Sequence, residues 1–308
     1  MSERRTCLGR RALLEAALLV LALLVGASCR AEFKTGSGSS ARASRVRAER
    51  LAWLITWADV VEEEPDPAFV TDPRVRARIA AEGMPWLVRD RWLGIELVFV
   101  PAGGLSEEIE GESGDDERSS RRVAVAHPIY LGRCEVSQDE WVRAMTENPS
   151  EFCDDPRLPV DSVAWELLAD RTDGFLHATG FELPTEAEWE WAARGPEGRS
   201  YPWGAIADER DANFIDEDDE NGDFVLRTTP VGSYVSGASW CGALDMAGNV
   251  LEWCRAGDSP DSPHGVLRGG AWFSGSNEIR STSRFAAHPG YVNNGFGFRV
   301  ARRVPPPT

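Results

Sequence analysis

Lysine is almost missing from this chain: Lys34 is the only one among 308 residues. Its 33 basic residues, otherwise all arginine, face 50 acidic ones, and the net charge is −17. That balance offers no basic face to release counterions from a nucleic acid, which argues against such a partner. The shortage of lysine itself reads as a composition effect of the genome. Histidine is scarce as well. His127, His177, His264 and His288 stand far apart without any paired spacing, which argues against a histidine-ligated iron centre. Cysteine runs out early. None follows Cys254, so the C-terminal stretch supplies no thiolate to a soft metal. No 20–50-residue repeat is visible. The apolar run 16–26 is too short to span a bilayer comfortably, and Glu15 interrupts its start.

That run fits an export signal. Arg4, Arg5, Arg10 and Arg11 precede it, and the small residues Gly26, Ala27 and Ser28 follow. Cys29 comes next and resembles the lipid-bearing cysteine of a bacterial lipoprotein box, although Gly26 stands where a bulky aliphatic is usual. The expectation is a signal peptide over 1–29 and a protein exported to the cell envelope. Its lipid anchor would face the periplasm or the cell surface. The leader carries four arginines against Glu3 and Glu15, so its loss takes the net charge from −17 to −19. Residues 30–44, with the run GSGSS at 36–40, read as a flexible linker. A lipidated cysteine on such a tether holds a body near a membrane without spanning it.

Residues 45–85 read as a helical extension laid against the main domain. Val46, Leu51, Leu54, Ile55, Ala58 and Val61 form a helical stripe over 45–64, and Asp72-Pro73 opens a second helix over 72–82. Trp53 and Trp57 are read as packing residues. The main domain covers 86–303. IELVFVPA at 95–102 predicts a strand, 105–122 an exposed loop, and 123–131 a second strand. Ser137 with Glu140, and Thr185 with Glu188, are capping-box pairs that open helices over 137–146 and 185–194. Short strands separated by Gly, Pro, Asn and Asp fill the rest, which gives an irregular α+β class.

The stretch DMAGNVLEW at 245–253 sits in an otherwise apolar run. Asp245 and Glu252 bracket a Gly248-Asn249 turn, and two carboxylates plus exposed carbonyls make an oxygen cage suited to Ca²⁺. The plainer account is a hairpin turn with two surface acids. Its neighbours come in a set order: EVSQDEWVRAM at 135–145, NPSEF at 148–152, LPVDSVAW at 158–165, LPTEAEWEWAARG at 183–195, YPWG at 201–204, TPVGSY at 229–234, LRGGAWF at 267–273 and GFGFRVAR at 295–302. From Gly94 to Arg302 the chain resembles the formylglycine-generating enzyme family, also called the sulfatase-modifying factor family. The resemblance implies a C-type-lectin-like core, with the helical extension added at its N-terminus.

The resemblance also implies two structural calcium sites. Asn213 and Asp223, with the carbonyls of Phe214 and Val225, match one. Asp245 and Glu252, with the carbonyls of Gly248 and Val250, match the other. The acidic run 216–220 is not an EF-hand, because Gly222 stands at the seventh loop position and Arg227 at the twelfth. Active members of the family are expected to oxidise a substrate cysteine with O₂ at Cu(I) held by two cysteines after the GG pair. Here Ser274 stands at the first of those positions, and Glu278 or Ile279 at the second; Ala271 replaces the family's serine. A hydroxyl is too hard a ligand to replace a thiolate on Cu(I), so copper is not expected. Besides Cys29, an exported form keeps Cys134, Cys153, Cys241 and Cys254. Three full pairings are open, Cys134–Cys153 with Cys241–Cys254 is the more local, and free buried thiols are the alternative.

The function expected is a non-catalytic, calcium-stabilised binding module at the cell envelope. Residues 271–294 would present a recognition surface for a protein or peptide. Trp272, Phe273 and Tyr291 would be anchors and Arg280 and Arg284 polar contacts. The alternative is the family's oxidase, converting a sulfatase cysteine to formylglycine. Oligomeric state is not legible from the sequence.

Overall fold

The computed structural model describes residues 38–109, 119–170, 172–215, 225–257 and 265–306. The expected signal peptide, Cys29 and the first half of the linker lie outside the described residues. The chain divides into two units, Met1–Ala48 and Glu49–Thr308. The second carries the fold below.

Three elements precede the main sheet's centre: α1 (Gly38–Leu54), β1 (Ala58–Glu62) and α2 (Pro73–Ala81). They correct two expectations. Residues 38–44, read as linker, are the start of α1. The helix expected over 45–64 stops at Leu54, because Thr56 and Trp57 turn back onto the carbonyls of Trp53 and Leu54. The β-branched Val60 and Val61 then suit the edge strand β1 better than a helix. Asp72 caps α2 as its sequence predicts, accepting from Arg74 N at 2.7 Å.

Five antiparallel strands form the main sheet in the order β1-β2-β3-β6-β11: β2 (Leu87–Asp90), β3 (Glu96–Val100), β6 (Ile129–Gly132) and β11 (Ala301–Arg303) follow β1. β11 pairs with β6, Ala301 opposite Leu131, so the end of the domain is sewn to its beginning. Between β3 and β6 lies a hairpin, β4 (Gly103–Ile109) and β5 (Ser119–Val125), in register from Gly103–Val125 to Ile109–Ser119. It replaces much of the loop expected over 105–122. Polar composition hid it, but a paired backbone does not require apolar side chains. The strand expected over 123–131 is likewise split between β5 and β6, where Pro128 has no N–H to continue a ladder.

Four helices follow: α3 (Gln138–Ala144), α4 (Trp165–Ala169), α5 (Phe175–Thr179) and α6 (Glu186–Arg194). Both predicted capping boxes are formed, Ser137 with Glu140 on α3 and Thr185 with Glu188 on α6. A second sheet, in the order β10-β7-β8-β9, comprises β7 (Leu251–Arg255), β8 (Gly265–Arg268), β9 (Arg284–Phe285) and β10 (Phe296–Gly297). The architecture is α+β with little regular structure.

Tryptophans hold this irregular body together. Trp86, Trp141, Trp189, Trp191 and Trp253 are fully buried. Each indole N–H has an acceptor: Cys241 O, Glu147 O, Glu252 Oε2, Pro101 O and Val163 O respectively, at 2.7–2.9 Å. Each joins segments distant in sequence except Trp141. A buried indole thus contributes both apolar area and a hydrogen bond that pins a loop. Trp53 and Trp57 also pack as expected, their rings 6.4 and 6.0 Å from that of Tyr130.

Candidate functional site

The stretch 245–253 enters β7 through a turn with three left-handed backbone positions. Asp245, Gly248 and Asn249 have φ of 53°, 75° and 61°. Glycine tolerates such angles freely; Asp and Asn tolerate them better than other side chains. A Cβ on Gly248 would overlap the carbonyl oxygen of Asn213. Gly248→Ala is therefore expected to cost at least about 2 kcal/mol, from the left-handed backbone and the overlap together, and to lower the melting temperature by several degrees. A thermal melt followed by near-ultraviolet dichroism checks this.

The turn closes a buried charge network. Arg299, between β10 and β11, meets Glu252 head on: Nε–Oε2 and Nη2–Oε1 are both 2.6 Å. The remaining N–H groups of Arg299 reach the carbonyls of Gly132, Arg133, Leu244 and Asp245 at 2.9–3.2 Å. Trp189 adds its indole N–H to Glu252 Oε2. Asp245 accepts from Gly232 N at 2.6 Å, and Asn249 donates to Glu135 Oε1 at 3.1 Å. Burial pushes the Glu135 carboxyl well above the usual range, and the charges of Asp245 and Glu252 push it further. Asp245 is raised to about 6, first by burial.

This network bears on the calcium expectation. The sequence-predicted partners Asp245 and Glu252 are brought together, but Glu252 has both oxygens on Arg299. A cage that must surround Ca²⁺ with 6–8 oxygens does not fit a carboxylate already chelated by a guanidinium. Among the described residues no group of three His, Cys, Asp or Glu side chains is arranged for a metal. At the other expected site, Asn213 is buried and its Nδ2 donates to Arg227 O at 2.9 Å. Phe214 is buried beside it and Val225 is exposed, while Asp223 lies outside the described residues.

The four cysteines among the described residues, Cys134, Cys153, Cys241 and Cys254, are free thiols, so neither expected disulfide is formed. Cys241 Sγ lies 3.5 Å from Ala192 O on α6, and Cys254 Sγ lies 3.7 Å from Glu252 O on β7. Burial raises both thiols above their ordinary pKa, which disfavours the thiolate that a soft metal requires. Cys134 is half-buried and Cys153 exposed.

A groove of about 640 Å³ opens over the second sheet. Leu251 and Leu267 floor it with Phe296, and Phe273, Phe285 and Tyr291 stand along it. Phe285 and Tyr291 are each about half exposed, and their rings meet that of Phe296 edge-on at 6.2 and 5.6 Å. Ser274 and Glu278 line the same groove. These are the positions where the family resemblance places thiolates. The alternative for the second position, Ile279, is fully buried in a small cluster with Tyr201, Ala212, Phe214 and Ala247. Gly270 has φ 75°, and a Cβ there would stand 2.7 Å from Ile279 Cγ2. The GG turn thus packs closely on the buried Ile279, while its neighbour Glu278 lines the groove. Ser274 Oγ accepts from Ala271 N at 3.1 Å, which holds the hydroxyl against its own loop.

Of the expected binding-loop residues, Phe273, Arg284 and Tyr291 line the groove. Trp272 and Arg280 do not. Trp272 packs on Phe152 and Phe273 at 5.8 and 5.0 Å, and Arg280 lies over the Tyr201 ring at 5.4 Å. Sequence reasoning missed Arg299 and Glu135. A signal for Arg299 was present: one arginine inside the apolar run GFGFRVA must bury its charge against an acid.

The chain matches the family model of the sulfatase-modifying factor enzyme 1-like domain over residues 91–304. It is 37% identical over 252 residues to the serine/threonine-protein kinase pkn1 of Chlamydia pneumoniae, covering 68% of this chain and 38% of that protein. The chain thus spans about two fifths of the length of that kinase. It is 32% identical over 155 residues to the inactive C-alpha-formylglycine-generating enzyme 2 of Mus musculus, covering 47% of this chain and 49% of that one. Its fold is like that of PvdO from Pseudomonas aeruginosa, with a TM-score of 0.57, 23% identity, and coverage of 70% and 97%. With the matched region covering more than half its length, the chain belongs to the sulfatase-modifying factor family.

Proposed function

We propose that this chain is a non-catalytic binding module whose aromatic groove takes a protein or peptide segment. One observation carries this: none of the four described cysteines lines the groove, and Ser274 and Glu278 occupy its wall instead. An oxygen pair does not hold Cu(I), so the groove keeps a shape for a ligand without the ligands for the metal. Half-exposed Phe285 and Tyr291 over a buried Phe296 supply the apolar anchor surface that recognition requires. The mouse relative called inactive is consistent with a family that uses this scaffold without the oxidation.

The test is direct. Purified chain loaded with Cu(I) and given a cysteine-containing sulfatase-motif peptide is expected to form no aldehyde above a metal-free control. Aldehyde formation would establish the oxidase in its place.

Two further parts belong to the same proposal. The first is tethering at the cell envelope through Cys29. No helix among the described residues is long and apolar enough to cross a membrane, so attachment would depend on the lipid. The second is a single structural Ca²⁺ at Asn213 and Asp223 with the carbonyls of Phe214 and Val225. The guanidinium of Arg299 on both oxygens of Glu252 weighs against a second. Chelation with EDTA is expected to lower the melting temperature by a few degrees, reversed by added Ca²⁺. A melt indifferent to both removes calcium from the proposal.

A further inference from the structure

The groove carries one charge with donors to spare. Arg284 lines it and is about half exposed. Its Nε donates to Glu186 Oε1 at 2.8 Å, and its two terminal nitrogens have no partner among the described residues. Glu186 is fixed from behind by Arg268, 3.6 Å away, which is buried and paired with Glu190 at 2.6 Å. Glu190 in turn pairs with Arg194 at 3.0 Å. The string Arg194–Glu190–Arg268–Glu186–Arg284 alternates in sign. Its exposed end is Arg284, at the rim of the groove.

We propose that the groove selects a peptide segment bearing a carboxylate side chain, bound by the free edge of Arg284, with a neighbouring apolar side chain on the half-exposed Phe285 and Tyr291. This rests on the binding-module function above. The terminal nitrogens of a guanidinium match the two oxygens of a carboxylate, a pairing that lysine does not reproduce. The bond to Glu186 already orients the fork, so little side-chain freedom is lost on binding. The other charge on the groove wall is Glu278, whose Oε2 accepts from Gly275 N at 3.0 Å. It disfavours a second acid at its own end, which gives the groove a direction. Asn293 Oδ1 accepts from Gly295 N at 2.9 Å, leaving its amide N–H₂ for a ligand carbonyl.

The experiment is selection of a random peptide display library on the full chain, with wild type and Arg284→Glu compared after both are shown folded by circular dichroism. Wild type is expected to enrich peptides with Asp or Glu beside an aromatic or aliphatic residue. Arg284→Glu is expected to abolish that preference or turn it toward Lys and Arg. A selected peptide should lose about tenfold or more in affinity for wild type when its acid becomes the amide. Enrichment of apolar peptides without acids, or a preference for acids that survives Arg284→Glu, overturns the assignment to Arg284 and leaves the binding module standing. No enrichment on wild type overturns the binding module and this proposal with it.

Discussion

Arg299→Met is expected to lower the unfolding free energy by about 3–5 kcal/mol, a large share of what a domain ordinarily has. The variant leaves Glu252 buried without its cation, in contact with Trp189 alone, and Glu135 and Asp245 close by. It also strips donors from the carbonyls of Gly132 and Arg133 at the end of β6 and of Leu244 and Asp245 before β7, two segments that Arg299 ties together. Urea unfolding followed by tryptophan fluorescence measures the loss. The double variant Arg299→Met with Glu252→Leu is expected to recover part of it, because removing both partners leaves no bare charge. A single-variant loss below about 1 kcal/mol would mean that another cation holds Glu252, and calcium would return as the occupant.

Lowering the pH from 7 to 5 is expected to stabilise the protein, contrary to the usual acid response. Asp245 has its folded pKa raised from 3.8 to about 6, mainly by burial, and Glu135 is raised well above its ordinary value for the same reason. Glu135 Oε2 has no partner among the described residues. A proton on the pair removes the cost of burying a bare charge there. Between about pH 4 and pH 6 the folded state binds more protons than the unfolded one. Stability therefore rises as pH falls through the folded value, is complete below the unfolded value, and is lost again as pH rises through 6. For Asp245 the full shift amounts to on the order of 3 kcal/mol, a little under half of it gained by pH 5. Asp170 and Asp208, held at about 2 by Thr172 and Arg210, stay ionised in this window and do not oppose it. Melting temperatures at pH 7 and pH 5 decide the sign. Calcium bound by Asp245 would keep it ionised, and the melting temperature would then fall.

Much of the fold was legible where the sequence carries local grammar. Ser137–Glu140 and Thr185–Glu188 are reciprocal caps whose partners stand three residues apart, and both helices begin there. The edge strand β1 was not legible, because its register depends on β2, further along the chain, and the hairpin β4–β5 was hidden by its polar composition. The groove was half legible for the same reason. Tyr291 and Arg284 lie in the loop that the GG pair announces, whereas Leu251 and Phe296 reach it only because β10 lies parallel to β7. The charge network shows the limit most clearly. Asp245 and Glu252 read as a cation cage from their spacing, and that spacing gives no sign that Glu252 meets the guanidinium of Arg299, 47 positions away. Local spacing names the acids; it does not name what neutralises them.

The buried indoles have a consequence for how this scaffold can change over time. Four of the five clamp segments at least 63 positions apart, and none of them lines the groove. The exposed residues of the cleft, Arg284, Phe285 and Tyr291, can therefore be exchanged without removing any of these clamps. A lineage is free to trade one guest for another while its skeleton stays as it was.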